Sequence, residues 1–222
     1  MAGRQLANKW LKTEALLQHG EVAPHIPQTR MYNEHDLQQM LHQFGVVVIK
    51  PLVGGGGYGV IKITYYMGVY TFTYFTKKRS FRNFNDMFKA LNKVKVGRKY
   101  MIQQGIELAR IYNRPIDYRV KVAKQPEGNW IYRSMVGRLA RPGLFVTNLC
   151  KGGTQLSARE GLTRSFRSKK LAAVKRREMR NLTNICIGIL ESSFPGIGEL
   201  GFDYGLDKNG KIWIFEVNTR PQ

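Results

Sequence analysis

Acidic residues, cysteines and long apolar runs are all scarce in this sequence. Its 222 residues hold 15 Asp and Glu against 36 Lys and Arg, a net charge of +21. Cys150 and Cys186 are too few for a disulfide framework, and neither has a second Cys or a His at zinc spacing, so both are expected as reduced thiols. The four histidines, His19, His25, His35 and His42, fall in the first fifth of the chain with no carboxylates arranged around them, which argues against a transition-metal site and for surface positions. No apolar run approaches the roughly 18 residues of a membrane span. The opening MAGRQLANKWLKTEALLQHG also lacks the apolar stretch of a signal peptide. A cytoplasmic protein without a membrane partner is the expectation. No internal repeat and no low-complexity segment stands out.

A chain that is 43% hydrophobic can bury a substantial core, as one large domain or two small lobes. The basic excess sets up a field that attracts polyanions, whether nucleic acid, an anionic polymer or an acidic protein. Its densest stretch is REGLTRSFRSKKLAAVKRREMR, residues 159–180, where Leu171, Val174, Leu182, Ile185 and Ile189 fall near one helical face and bases occupy the rest. No nucleic-acid reading motif accompanies it.

Two helices are expected first, one over Leu6–His19 stopped by Gly20 and one between Asn33 and Gly45, where Asn33 and Asp36 have capping-box spacing. EVAPHIPQT, with two prolines, is expected as an extended linker. Strands follow in VVVIK, VIKI, YTFTYFTK and KYMIQQGI, with a short helix near Asp86–Lys93 before the last of these. DYRVKVAK, WIYRSMVGRLA and two terminal strands complete an α+β pattern with mainly antiparallel pairing.

The segment VVVIKPLVGGGGYGVIKI, residues 46–63, joins two β-branched runs through five glycines in six positions, Gly54 to Gly57 and Gly59. A hairpin needs only two residues to turn. So many glycines suit a flap whose amides wrap an anion, or a merely flexible hairpin. The segment leads into a strand, so it is neither a Walker loop nor a dinucleotide fingerprint, both of which open a helix.

GFDYGLDKNGKIWIFEVNTRPQ, residues 201–222, allows a register count. With Asn209-Gly210 as a two-residue type I′ turn, Lys208 pairs with Lys211, Leu206 with Trp213 and Asp203 with Glu216. Asn218 then shares their face, and so do Ile212 and Ile214. Opposed carboxylates destabilise a sheet unless something neutralises them. Two carboxylates and an amide oxygen are magnesium ligands; a general acid and base pair, or a solvated surface hairpin, are the other uses of such a pair.

These segments resemble the ATP-grasp superfamily, and within it the YheC/YheD-type, endospore coat-associated branch. NKWLKTEALLQHGEVAPHIPQT, VVVIKPLVGGGGYGVIKI, YMIQQGI, RPIDYRVKV, TNLCKGGT and GELGFDYGLDKNGKIWIFEVNTRPQ stand in family order over nearly the whole chain. The resemblance implies a single ATP-grasp domain, two α+β lobes gripping ATP. Residues 46–104 would form the smaller nucleotide-clamping lobe, and 1–45 with 105–222 the lobe carrying the metal site, with no additional N-terminal domain. It implies that Lys9 and Lys50 neutralise phosphate oxygens while Gly54, Gly55, Gly56, Gly57, Tyr58 and Gly59 close over them. Gln103, Gln104 and Ile106 would line the adenine hinge, and Asn148 would stand beside the phosphates and metal. Arg119 and Arg138 would meet the transferred phosphoryl group, and Asp203, Glu216 and Asn218 would hold Mg2+. The implied reaction activates a carboxylate as an acyl phosphate for attack by an amine, and the basic composition suggests an acidic small molecule or peptide as substrate. A non-enzymatic coat-type or polyanion-binding protein on the same fold, and a kinase of the same fold, are the alternatives. Spore association follows from the resemblance alone.

Overall fold

The computed structural model describes residues 3–221. Helix α1 (Lys9–Leu17) starts later than its apolar spacing suggested. The Asn8 side chain caps it by accepting the Trp10 N–H, and Leu6 instead bonds Thr219 through both backbone groups. The segment expected as a linker forms a 3-10 turn at Ala23–His25 and a strand, β1 (Thr29–Met31). Helix α2 (Glu34–Phe44) runs between the two signals that predicted it: Asn33 accepts the Asp36 N–H, and Gly45 ends the helix at φ 69°.

Two antiparallel sheets follow. The first has the order β1, β6 (Tyr100–Gln104), β2 (Val46–Pro51), β3 (Ile61–Tyr66), β4 (Val69–Tyr74), β5 (Lys77–Phe81), and is crossed by α3 (Phe84–Val94). The second has the order β10 (Thr154–Ser157), β9 (Trp130–Leu139), β8 (Arg114–Lys124), β11 (Glu199–Leu206), β12 (Ile212–Asn218), with the short β7 (Arg110–Ile111) paired to β8. The densest basic segment is two helices, α4 (Ala158–Phe166) and α5 (Lys169–Ser193), broken where Arg167 takes φ 53° and Ser168 caps α5. Strands β5, β7 and β10 carry too little apolar alternation to have been expected.

Each sheet buries one face. Leu37, Met40 and Leu41 of α2 and Met87 and Leu91 of α3 cover Ile49, Ile63 and Phe72 of the first sheet. Leu162, Met179, Leu182 and Leu190 of α4 and α5 cover Tyr118, Phe202, Tyr204 and Ile214 of the second. Because β1 pairs with β6 and α2 packs on β2, residues 29–45 join the glycine-bearing sheet, which extends that lobe beyond residues 46–104.

The terminal hairpin is built differently from the count. Asp207 N–H bonds the Lys211 carbonyl, Gly210 alone in the loop has positive φ, and the Asp207 carboxylate accepts the Asn209 and Lys211 N–H groups. That side-chain turn makes a three-residue loop in place of type I′, so Leu206 pairs with Ile212 rather than Trp213. A β-bulge at Phe215 then shifts the register by one the other way and restores Asp203 opposite Glu216. The bulge also reverses the faces: Ile212 and Ile214 enter the core, whereas Glu216 and Asn218 face the other side.

Candidate functional site

The open faces of the two sheets enclose a cleft of about 1380 Å³. The glycine segment arches over it between β2 and β3. Gly54, Gly56, Gly57 and Gly59 all have positive φ, a conformation that side chains other than glycine resist. The arch rests on the loop before β10: a Cβ at Gly57 would stand 2.6 Å from Asn148 Oδ1, and Cys150 Sγ lies 3.6 Å from the Gly56 carbonyl. Tyr58 stays half exposed at the arch.

Three lysines meet beneath it. Lys50 on β2 is buried and donates to Gln103 Oε1 at 2.7 Å and, across the cleft, to the Phe215 carbonyl at 2.8 Å. Phe215 is the residue the bulge leaves unmatched on β12, so its carbonyl is available to the lysine. Its ring occupies the space over Gly205, where a Cβ would come within 2.3 Å of it. Lys9, at the start of α1, donates to the Gly54 carbonyl at 2.5 Å and lies 3.6 Å from Glu216 Oε1. Lys12, one turn further along α1, escaped the sequence analysis although its i+3 spacing puts it on the face of Lys9. It is buried and donates to the Leu6 and Asn8 carbonyls, holding the segment that delivers Lys9. Burial pushes Lys12 and Lys50 each down to about 8, with Glu216 opposing and Lys9 adding to the shift.

On the second sheet an arginine and carboxylate ladder crosses three strands. Arg138 of β9 grips Asp117, directly opposite on β8, through two bonds of 2.8 and 2.6 Å, and Thr147 donates to the same carboxylate at 2.6 Å. Arg119 of β8 grips Asp203, opposite on β11, and Arg138 Nη2 reaches that carboxylate too, at 3.0 Å. Burial alone would raise the Asp203 pKa; the guanidiniums of Arg138 and Arg119 outweigh it and hold the group below the usual carboxylate range. Asp117, two residues before Arg119 on the same strand face, is the other functional candidate that sequence reasoning missed.

Gln103, Gln104 and Ile106 line the cleft at the crossing between lobes. The Gln103 side chain turns to Lys50, and that of Gln104 accepts the Gln28 N–H at 3.3 Å. Asp203, Glu216 and Asn218 lie on one face of β11 and β12 and line the cleft together. Two carboxylates and an amide are suitable oxygen donors for a hard dication. Asp203 gives its oxygens to arginines and Glu216 faces Lys9 at 3.6 Å, while Asn218 lines the cleft beside them.

The family described as YheC/D like ATP-grasp matches residues 1–222. The chain is 28% identical over 221 residues to the endospore coat-associated protein YheD of Bacillus subtilis (strain 168), covering 96% of this chain and 48% of that protein. It is 27% identical over 226 residues to YheC of the same strain, covering 99% and 61%. The chain thus spans between about half and three-fifths of these relatives. Among solved structures, N5-carboxyaminoimidazole synthase from Aspergillus clavatus in complex with ADP and a ribonucleotide superposes with a TM-score of 0.59 at 13% identity, over 99% of this chain and 46% of that one. The Staphylococcus aureus synthetase complexed with ADP gives 0.57 at 13%, over 98% and 46%. At such identities the likeness concerns the fold.

Proposed function

Since the chain belongs to the YheC/D-like ATP-grasp family, we propose that it is an ATP- and magnesium-dependent ligase that joins a carboxylate to an amine. The observation that carries this reading is convergence. Lys9, Lys50, Arg119, Arg138 and Glu216 come from five segments of two lobes to one cleft beneath a glycine arch. Lys9 and Lys50 neutralise phosphate oxygens, and the arch excludes water from them. The carboxylate substrate attacks the γ-phosphorus, the bond to the ADP oxygen breaks, and an acyl phosphate forms. The amine then adds to the acyl carbon and phosphate departs. Arg119 and Arg138, held in place by Asp203 and Asp117, face the charge that develops on the transferred group and need no reorganisation to do so. Glu216 and Asn218, with Asp203 shared between the ion and its arginines, would hold Mg2+, which when bound neutralises phosphate charge. No side-chain nucleophile is required. The unpaired bases of the cleft suit an acidic substrate.

The test is thermal denaturation with ATP, with and without magnesium, for the wild type, Glu216→Ala and Lys50→Ala. Ligand at about 100 times its dissociation constant adds roughly 2.7 kcal/mol to stability. The expected result is a magnesium-dependent shift in the wild type that both substitutions abolish. No shift in the wild type would refute the nucleotide site. A shift without ADP release in the presence of any acidic peptide and amine would leave a binding protein on this fold.

A further inference from the structure

The positive charge is not spread evenly, and its densest run in the sequence is not its only unneutralised surface among the described residues. Within residues 159–180, Arg164 pairs with Glu160 and Lys175 with Glu178, and among the described residues the other seven bases form no ion pair. Residues 46–104 contain eleven Lys and Arg and a single acid, Asp86. Among the described residues, none of those eleven forms an ion pair. Two further acids, Glu34 and Asp36, sit at the start of α2, where Asp36 is already paired with Arg30, and Glu216 and Asp203 act on the buried Lys50 from the other lobe. Lys77, Lys78 and Arg79 occupy the exposed edge strand β5, Arg82 follows it in the chain, and Lys93 lies in the last turn of α3 on the other face of the sheet. Lysines on an edge strand discourage edge pairing. That role does not account for α3 or for Lys95, Arg98 and Lys99 beyond it.

The charge has a direction. In the register of the first sheet, Val48 pairs with Lys62, Lys62 with Thr73, and Thr73 with Lys78. These residues therefore form one row on the sheet face that opens into the cleft, running from the lining residues Val48 and Lys62 out to the exposed edge. Burial lowers the Lys62 pKa, and Arg110 across the cleft mouth and Lys78 lower it further, so three cations crowd there without an acid. Some rings of this surface are covered, but Tyr66, on the same face of β3 as Lys62, is 74% exposed. Arg79 lies over Phe72 and Phe81, and Lys95 lies 3.5 Å from the centroid of Tyr32. Stacking therefore does not decide the occupant; the carboxylate that the proposed reaction activates does, because the row of charge ends at the cleft.

We propose that the β5 edge and the Lys62–Thr73–Lys78 row dock an acidic polypeptide and lead its carboxylates to the cleft. This names the substrate class of the proposed ligase and rests on that reading for what happens inside the cleft, while the docking itself is read independently. The probe is a fluorescein-labelled poly-L-glutamate of about fifty residues, its anisotropy followed against the full chain at several salt concentrations. One variant carries Lys77→Glu, Lys78→Glu and Arg82→Glu; a charge-matched control carries Lys169→Glu, Lys170→Glu and Arg177→Glu on α5. At about 0.1 M salt the first is expected to bind about tenfold or more weakly with a shallower salt slope, and the control within about threefold of wild type. Replacing the same three residues by Gln should give a smaller loss of the same kind. The ADP-dependent thermal shift should persist in every variant, so loss of docking is separable from failure of the nucleotide site. Equal losses in the two triple variants would reduce the effect to net charge and overturn the proposal. Duplex DNA bound as tightly as polyglutamate would overturn the choice of occupant.

Discussion

Lys50 should give the protein and its nucleotide complex opposite responses to pH. Its ammonium is buried between the lobes, and burial brings its pKa from 10.5 to about 8, with Glu216 resisting and Lys9 assisting. A lysine lowered in the folded state is a cost while it is charged. Between pH 8 and 10.5 the unfolded chain holds a proton that the folded chain has released, so stability without nucleotide rises with pH across that window. At 1.36 kcal/mol per unit the contribution is about 3 kcal/mol, or roughly 6–12 °C in Tm for a chain of this size. In the proposed function the Lys50 ammonium holds phosphate, so the increment produced by ADP should shrink across the same window. The apparent dissociation constant should climb about tenfold for each pH unit above 8. The assay is thermal denaturation from pH 7 to 10.5, with and without ADP, of wild type, Lys50→Met and Lys50→Arg. Lys50→Met should lose its share of the first slope. Lys50→Arg should flatten the Lys50 part of the second, because a guanidinium does not titrate there. Lys12, also lowered to about 8 by burial, persists in both variants and keeps its own share. Parallel curves for wild type and Lys50→Met would refute the reasoning.

Two further substitutions probe the arch and the ladder. Gly57→Ala puts a Cβ at φ 70° and 2.6 Å from Asn148 Oδ1; the arch should fail to seat and nucleotide affinity should fall about tenfold, near 1.4 kcal/mol, with little change in Tm without ligand. Calorimetric titration with ADP measures it, and unchanged affinity would mean that the arch does not touch the phosphates. Asp117→Asn takes the carboxylate from a buried Arg138; because Asp203 still receives that guanidinium, the loss should be about 3 kcal/mol, at the lower end for a broken buried pair. A Tm within about 2 °C of wild type would show that Asp203 alone suffices to hold Arg138.

The elements that local signals specify were legible in the sequence: α2 between Asn33 and Gly45, the glycine arch between two strands, and the strands β8 and β9. What depends on the placement of charge in space was not. The pairs within residues 159–180, Arg164 with Glu160 and Lys175 with Glu178, follow from i+4 and i+3 spacing, whereas the alignment of Lys62 and Lys78 in one row depends on strand pairing. Lys12 and Asp117 each stand three or two residues from a residue that was identified, on the same face, but their importance comes from burial. A window cannot report burial of a charged side chain.

The Asp203 and Glu216 pairing is the most instructive case, because the register count reached it through two errors that cancel. The Asp207 side chain tightens the turn into a three-residue loop and shifts the register by one; the bulge at Phe215 shifts it back. The first shift has a local cause, an aspartate able to accept from the backbone two and four residues on. The second has none in β12 itself. The bulge has its ring in the space that Gly205 leaves free and its carbonyl against Lys50, which arrives from the other lobe 165 positions away in sequence. Backbone irregularity, lobe contact and the exposure of Glu216 to the cleft are therefore one arrangement. A larger residue at Gly205 would disturb all three together, although it touches neither Lys50 nor Glu216.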